Sequence, residues 1–157
     1  MPIINQKIRV LVVDDSMVAR SMIMQGLSTH PRIEIIGCAI NTMDAKAKIA
    51  ALKPDVVTMD VEMPGKSGPE FLREYIPQHP VPVILVSSLN LRVFDALDAG
   101  AVDFVQKPQN HGDRDAFITA LAQKVLIAAT AKVRMAQPAA PTAVDAAGAK
   151  PFPTLGA

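Results

Sequence analysis

Three acids and one lysine in this chain stand where short apolar runs end. Residues 8–13 (IRVLVV) stop at Asp14-Asp15, residues 56–59 (VVTM) stop at Asp60, and residues 101–105 lead to Lys107-Pro108. If these runs are parallel strands of an α/β sheet, their carboxyl ends share the crevice where such sheets bind ligands. Clustered carboxylates repel one another, so the grouping makes chemical sense around a divalent cation. A site of one or two carboxylates plus water suits Mg²⁺. A lysine ammonium beside it is a point-charge partner for phosphate. The chemistry open to this set is phosphoryl transfer onto a carboxylate, with Asp60 as nucleophile. Asp14 and Asp15 would hold the metal, directly and through water. The backbone carbonyl of Glu62 is a further candidate ligand. The product, an acyl phosphate, is labile to hydrolysis and suits a signal.

Each of these residues has a plainer alternative. Asp60 by itself is a strand-end turn residue, Asp14-Asp15 a solvated turn, and Lys107 a surface lysine. The conjunction of all four is what favours a site. Ser87 and Ser88 follow another apolar run, 83–86. One hydroxyl there can bond a phosphoryl oxygen, or both can be ordinary loop serines. Phe104 reads as at least partly core, and periodicity assigns it nothing further. Cys38 is the only cysteine, which excludes an intramolecular disulfide and a cysteine metal cluster; it reads as a small buried apolar residue. The methionines read as core filler, and His30, His79 and His111 as noncatalytic.

The elements that must position the site alternate along the chain. Strands are expected at 8–13, 33–39, 56–59, 83–86 and 102–105. Ser16 is placed to cap a first helix, with Val18, Ile23 and Leu27 at near-helical spacing. A second helix is expected over 42–52, stopped near Lys53-Pro54. A third follows Gly68-Pro69, with Pro69 at its first position. A fourth covers 91–99 and is closed by Gly100 in a left-handed cap. A fifth runs from 114 to 135 on an apolar stripe of Phe117, Leu121, Val125 and Ala128. Five strands alternating with five helices imply an α/β fold, a doubly wound parallel sheet covered on both faces. Strand order 2-1-3-4-5 is one of the two common solutions, and periodicity does not choose between them.

At 157 residues the chain is expected to hold one domain, 7–135, and an Ala/Pro-rich tail or interdomain linker, 136–157, with too little apolar patterning to order itself. Sixteen basic and fifteen acidic side chains give a formal charge of +1, which implies no nucleic-acid or bulk membrane partner. The polar first residues carry no apolar signal region, and no apolar run reaches the roughly 18 residues that span a bilayer. The expected compartment is the cytoplasm.

Taken together, VLVVDD at 10–15, DVEMP at 60–64 and FVQKP at 104–108 resemble the receiver domain of two-component response regulators over about residues 8–130. More narrowly, DVEMP, PVPVILVSSL at 80–89, GAVDFVQKPQ at 100–109 and AQKVLIAATAKVR at 122–134 resemble the receiver half of the chemotaxis protein-glutamate methylesterases (CheB). The resemblance implies a flavodoxin-like (βα)5 sheet in the order 2-1-3-4-5. It implies Asp60 as phosphoacceptor, and Asp14, Asp15, Asp60 and the Glu62 carbonyl as the Mg²⁺ site. Ser87 becomes the switch hydroxyl, Phe104 the switch aromatic and Lys107 the phosphoryl-sensing lysine, with a cis Lys107-Pro108 bond. The implied phosphodonor is a CheA-like sensor histidine kinase, and the implied effector a methylesterase/glutamine deamidase domain in the parent chain. Two departures stand out. The segment between Ser88 and Gly100 is about one helical turn shorter than in that family, and Ser67 stands where an Asp is common.

The esterase itself would need a Ser-His-Asp triad, and nothing after Lys107 offers one. A chain ending in an Ala/Pro linker is expected to be a fragment of a longer regulator, a free-standing receiver being the alternative. An aspartate-nucleophile phosphatase is the enzymatic alternative, but its paired acids close the first strand, where Asp14-Asp15 lacks the intervening residue. No G-x-G-x-x-G follows the first strand, which disfavours a Rossmann nucleotide binder. No helix-turn-helix pattern supports a DNA-binding output.

Overall fold

In the computed structural model, five parallel strands form one sheet in the order β2-β1-β3-β4-β5. The structure describes residues 7–63, 65–88 and 99–136. The strands are β1 Ile8–Val13, β2 Ile33–Ala39, β3 Val56–Asp60, β4 Val83–Ser87 and β5 Asp103–Gln106. Between them lie helices α1 Met17–Ser28, α2 Thr42–Leu52 and α3 Gly68–Tyr75, and a long C-terminal helix, Arg114–Ala136, closes the described chain. The expected fourth helix, 91–99, falls almost wholly outside the described residues. Gly100 beyond it has φ 113°, the positive region that the expected cap requires.

Alternation along the strands builds two cores, one on each face of the sheet. Leu11, Val13, Val57, Met59 and Leu85 point to one side, where Ala45 and Ile49 of α2 and Phe71 and Leu72 of α3 cover them. Val10, Val12, Ile84 and Val86 point to the other, against Ile23 and Leu27 of α1 and Phe117, Leu121 and Val125 of the C-terminal helix. Burial on both faces is why the central strands read as continuous apolar runs. Tail positions 137–157 lie outside the described residues.

Local signals set the helix ends. The Ser16 side chain accepts from Ala19 N at the start of α1, and Asn41 caps α2 by accepting from Asp44 N. Lys53 ends α2 in the left-handed region at φ 51°. Ser67 caps α3 in a reciprocal box with Glu70, so the residue that departs from the common Asp supplies the same capping oxygen. Gly68 is the first residue of α3 and Pro69 the second, one position later than expected. A side chain at Gly68 would place its Cβ 2.7 Å from the Asp60 carbonyl oxygen. The glycine therefore lets α3 start hard against the end of β3.

Three other expectations are corrected. The described residues contain no cis peptide bond, so Lys107-Pro108 is trans, the form such bonds intrinsically prefer by about 0.5–1 kcal/mol. Met17 and Met43 are exposed: they sit in the first turns of α1 and α2, beyond the edge of both cores, while Met59 and Met63 are buried as filler. Cys38 is only partly buried, on edge strand β2.

Candidate functional site

Strand order reverses direction between β1 and β3, so the crevice at their carboxyl ends is the switch point of the sheet. Val13 pairs with Met59 in register, which sets the next residues, Asp14 and Asp60, side by side. Asp14 is fully buried and Asp60 is 3 % exposed. Asp14 is held at three atoms: its N donates to Ala39 O at 3.0 Å, its Oδ1 accepts from Ser16 N at 2.9 Å, and its carbonyl accepts from Arg20 Nη1 at 2.8 Å. Only Oδ2 is left to face the crevice. Asp15 is exposed at the rim. Carboxylate oxygens of Asp14, Asp15 and Asp60 lie within 4.8 Å of one another.

Lys107 enters from the far side. Its backbone N donates to Ser87 O at 2.7 Å, which anchors the end of β5 to the end of β4. Its Nζ lies 2.9 Å from Asp14 Oδ2 and 3.3 Å from Asp60 Oδ1. These are ion-pair distances, yet neither buried oxygen receives an aligned hydrogen bond. Two buried carboxylates that share a single ammonium, with a third acid at the rim, leave negative charge uncompensated, so the oxygen set fits a hard cation such as Mg²⁺.

The charges perturb one another. Burial first, and then repulsion from Asp14, push the Asp60 carboxyl up from 3.8 to about 6; Lys107 opposes the rise and Glu62 adds to it. Burial alone would lower Lys107, but contact with Asp14 and then Asp60 outweighs it and holds the ammonium above its ordinary value. A folded-state carboxyl pKa above the unfolded one means the folded chain keeps a proton that the unfolded chain has released. Metal-free stability is therefore expected to fall as pH rises from about 4 to about 6, and to change little above that on this account. Asp60→Asn, neutral throughout, should remove the slope and raise stability at pH 7.5 by about 1–3 kcal/mol, the scale set by a carboxyl pushed from 3.8 to about 6 in a partly solvated site. Urea unfolding in EDTA at about pH 4.5 and 7.5 measures it; an equal effect at both would show that Asp60 is not buried in this way.

Ser87 is fully buried at the last position of β4. Its hydroxyl donates to Glu62 Oε2 at 2.7 Å, and that of Ser88 lies 3.5 Å from Glu62 Oε1. Sequence reasoning treated Glu62 only as a source of a backbone carbonyl and missed this contact of its half-buried side chain. Phe104, partly buried, pairs in register with Leu85 and packs against the core on the α2/α3 side. The contact of Arg20 with Asp14 was also missed; an arginine at the fourth position of α1, six residues after its partner, carries no distinctive spacing.

Residues 10–122 match the response regulator receiver domain family. The chain is 45% identical over 130 residues to a protein-glutamate methylesterase/protein-glutamine glutaminase of Syntrophomonas wolfei, a match covering 82% of this chain and 38% of that protein. The chain thus spans well under half the length of the curated relatives it matches. Among solved structures it is similar to the response regulator domain of Thermotoga maritima CheB, with TM-score 0.73 and 37% identity over 80% of this chain and 98% of that one. It is also similar, at 26% identity and TM-score 0.66, to a chain in the complex of the CheA3 P1 domain with CheY6 from R. sphaeroides, covering 78% of this chain and 99% of that one.

Proposed function

Because the chain belongs to the response regulator receiver family, we propose that Asp60 accepts a phosphoryl group from a phosphohistidine of a CheA-like kinase and that the modified domain controls a methylesterase/glutaminase effector in a longer parent chain. The observation that carries this is the meeting of a buried Asp60 carboxylate with Asp14 and Lys107 at the switch point. The relatives it resembles, and the pairing of a CheA3 domain with CheY6 in a similar structure, support the choice of donor and effector.

In the transfer, an Asp60 carboxylate oxygen bonds to phosphorus as the phosphorus–nitrogen bond to the donor histidine breaks, and the imidazole leaves. Asp14, Asp15, Asp60 and the Glu62 carbonyl would hold Mg²⁺, which when bound neutralises phosphoryl charge. Lys107 sits within reach of Asp60 and would turn to the new phosphoryl oxygens. The Ser87 hydroxyl would follow, with Phe104 on the neighbouring strand responding. The added charge, about −1.5 to −2, biases the ends of β4 and β5 at Ser87 and Lys107 between two arrangements. Among the described residues no helix is long and apolar enough to cross a membrane. The direct test is incubation with acetyl phosphate and Mg²⁺, followed by mapping of the label to the peptide that carries Asp60.

Mg²⁺ should bind before any phosphoryl group does. Asp15→Ala is expected to weaken it by an order of magnitude or more, because Mg²⁺ gives up its water reluctantly and the small site loses one of its anionic ligands. Calorimetric titration with MgCl₂ checks this, and unchanged affinity would move the metal elsewhere. The receiver unit is taken as 7–135 and the tail as a linker that sets the effector's local concentration. A chain cut after Ala136 is expected to melt within about 4 °C of the full chain, the scale of ~1 kcal/mol in a domain near this size. A larger drop would mean that the tail belongs to the folded unit.

A further inference from the structure

The acceptor of the Ser87 hydroxyl gives the Glu62 side chain a role of its own. Ser87 has no exposed surface, and its hydroxyl gives its proton to Glu62 Oε2 at 2.7 Å. The other oxygen of the same carboxylate faces the Ser88 hydroxyl, more weakly, at 3.5 Å. One half-buried carboxylate thus ties the loop after β3 to the end of β4. It also lies close enough to Asp60 for its charge to contribute to the upward push on that carboxyl.

A serine hydroxyl carries a single proton. That proton can go to Glu62 or to a phosphoryl oxygen on Asp60, but not to both. We propose that the Glu62 side chain is a latch on the switch: it holds the Ser87 hydroxyl in the unphosphorylated chain, and a phosphoryl group on Asp60 must take that donor from it. The inference rests on Asp60 being the phosphoacceptor. A hydrogen bond to a charged acceptor is among the stronger ones, so the resting arrangement is favoured. Phosphorylation then acts on the latch twice. It offers Ser87 a new anionic acceptor, and it places about −1.5 to −2 of charge near the Glu62 carboxylate, which is repelled. Glu62 therefore interacts favourably with one state and unfavourably with the other, the condition for any group to bias a two-state equilibrium. Glu62 acts through Ser87 and is a positioning residue; the nucleophile and the other carboxylates are left as they were.

The test is a double-mutant cycle on the full chain, read as equilibrium affinity for beryllium fluoride, a phosphoryl mimic, in the presence of Mg²⁺. Glu62→Ala should raise the affinity about tenfold, the scale of one charge-assisted bond. Glu62→Gln, which keeps an acceptor oxygen but not the charge, should raise it less, about threefold. In a Ser87→Ala background the gain from Glu62→Ala should shrink to about threefold, because only charge repulsion is left to relieve. A merely structural role for Glu62 would not produce that dependence on the hydroxyl. An equal gain with and without Ser87, or a loss of affinity in Glu62→Ala, would overturn the latch while leaving Asp60 as acceptor. Failure of the wild-type chain both to bind the mimic and to label Asp60 would overturn the proposed function, and the latch with it.

Discussion

Incubated with acetyl phosphate and Mg²⁺, the wild-type chain is expected to take up one phosphoryl group, and Asp60→Asn none. The amide has nearly the same shape, so the fold and the packing against Gly68 should survive the change. What is lost is the anionic oxygen. An amide oxygen shares its electrons with nitrogen and is no nucleophile for this step, whereas Asp60, with its carboxyl at about 6, is mostly ionised at pH 7.5. Asp14 cannot substitute: it is fully buried, with Oδ1 bound to Ser16 N and Oδ2 against Lys107. Asp15 is exposed at the rim and is not among the acids at ion-pair distance from the Lys107 ammonium. Intact-mass and peptide mapping measure the outcome. Labelling of the Asn variant at the wild-type level would place the acceptor on another residue.

The parts of this site that were legible in the sequence share one property: they end apolar runs. Asp14 and Asp60 stop strands buried on both faces, where an acid has no reason to stand except at the rim, and Lys107 follows a strand and precedes a proline. Boundaries were less legible, because backbone pairing continues past the last apolar residue. Asp60 and Ser87 are the final residues of β3 and β4, although both looked like the first residues beyond them. Strand β5 runs from Asp103 to Gln106 with polar residues at both ends, and as the edge strand of the sheet it needs less apolar patterning. The irregularity in β2, where the partner of Val10 is Ile35 and that of Leu11 is Gly37, has only the glycine as a local sign. Glu62 was illegible for a different reason. Its partner, Ser87, is 25 residues away, and a glutamate in a loop has solvent as its default neighbour. Contacts of that kind depend on the strand order, which periodicity left open and the family resemblance supplied.

Replacing Lys107 should have the largest effect on stability. The ammonium stands between two carboxylates that are otherwise removed from water, with side-chain exposures of 1% for Asp14 and 4% for Asp60. Lys107→Met keeps the length and apolar stem of the side chain and deletes the charge. Removing one partner from a buried ion pair typically costs about 3–5 kcal/mol, because the opposite charge is left uncompensated. Here two carboxylates are left, but the crevice opens at the exposed Asp15, so about 3 kcal/mol is expected in EDTA at pH 7.5. In a domain near this size that is a fall in melting temperature of roughly 10 °C. Two conditions should rescue it, each for a stated reason. Lowering the pH below about 6 lets one carboxyl take a proton, since losing the lysine pushes Asp60 further up. Millimolar Mg²⁺, held as proposed, would restore a cation to the same oxygens and would stabilise the folded chain by mass action. Thermal melts with EDTA, with MgCl₂ and at about pH 5 separate these contributions. A drop of less than about 2 °C in EDTA at pH 7.5 would mean that water already reaches both acids, and the buried triad of Asp14, Asp60 and Lys107 would no longer describe the resting site.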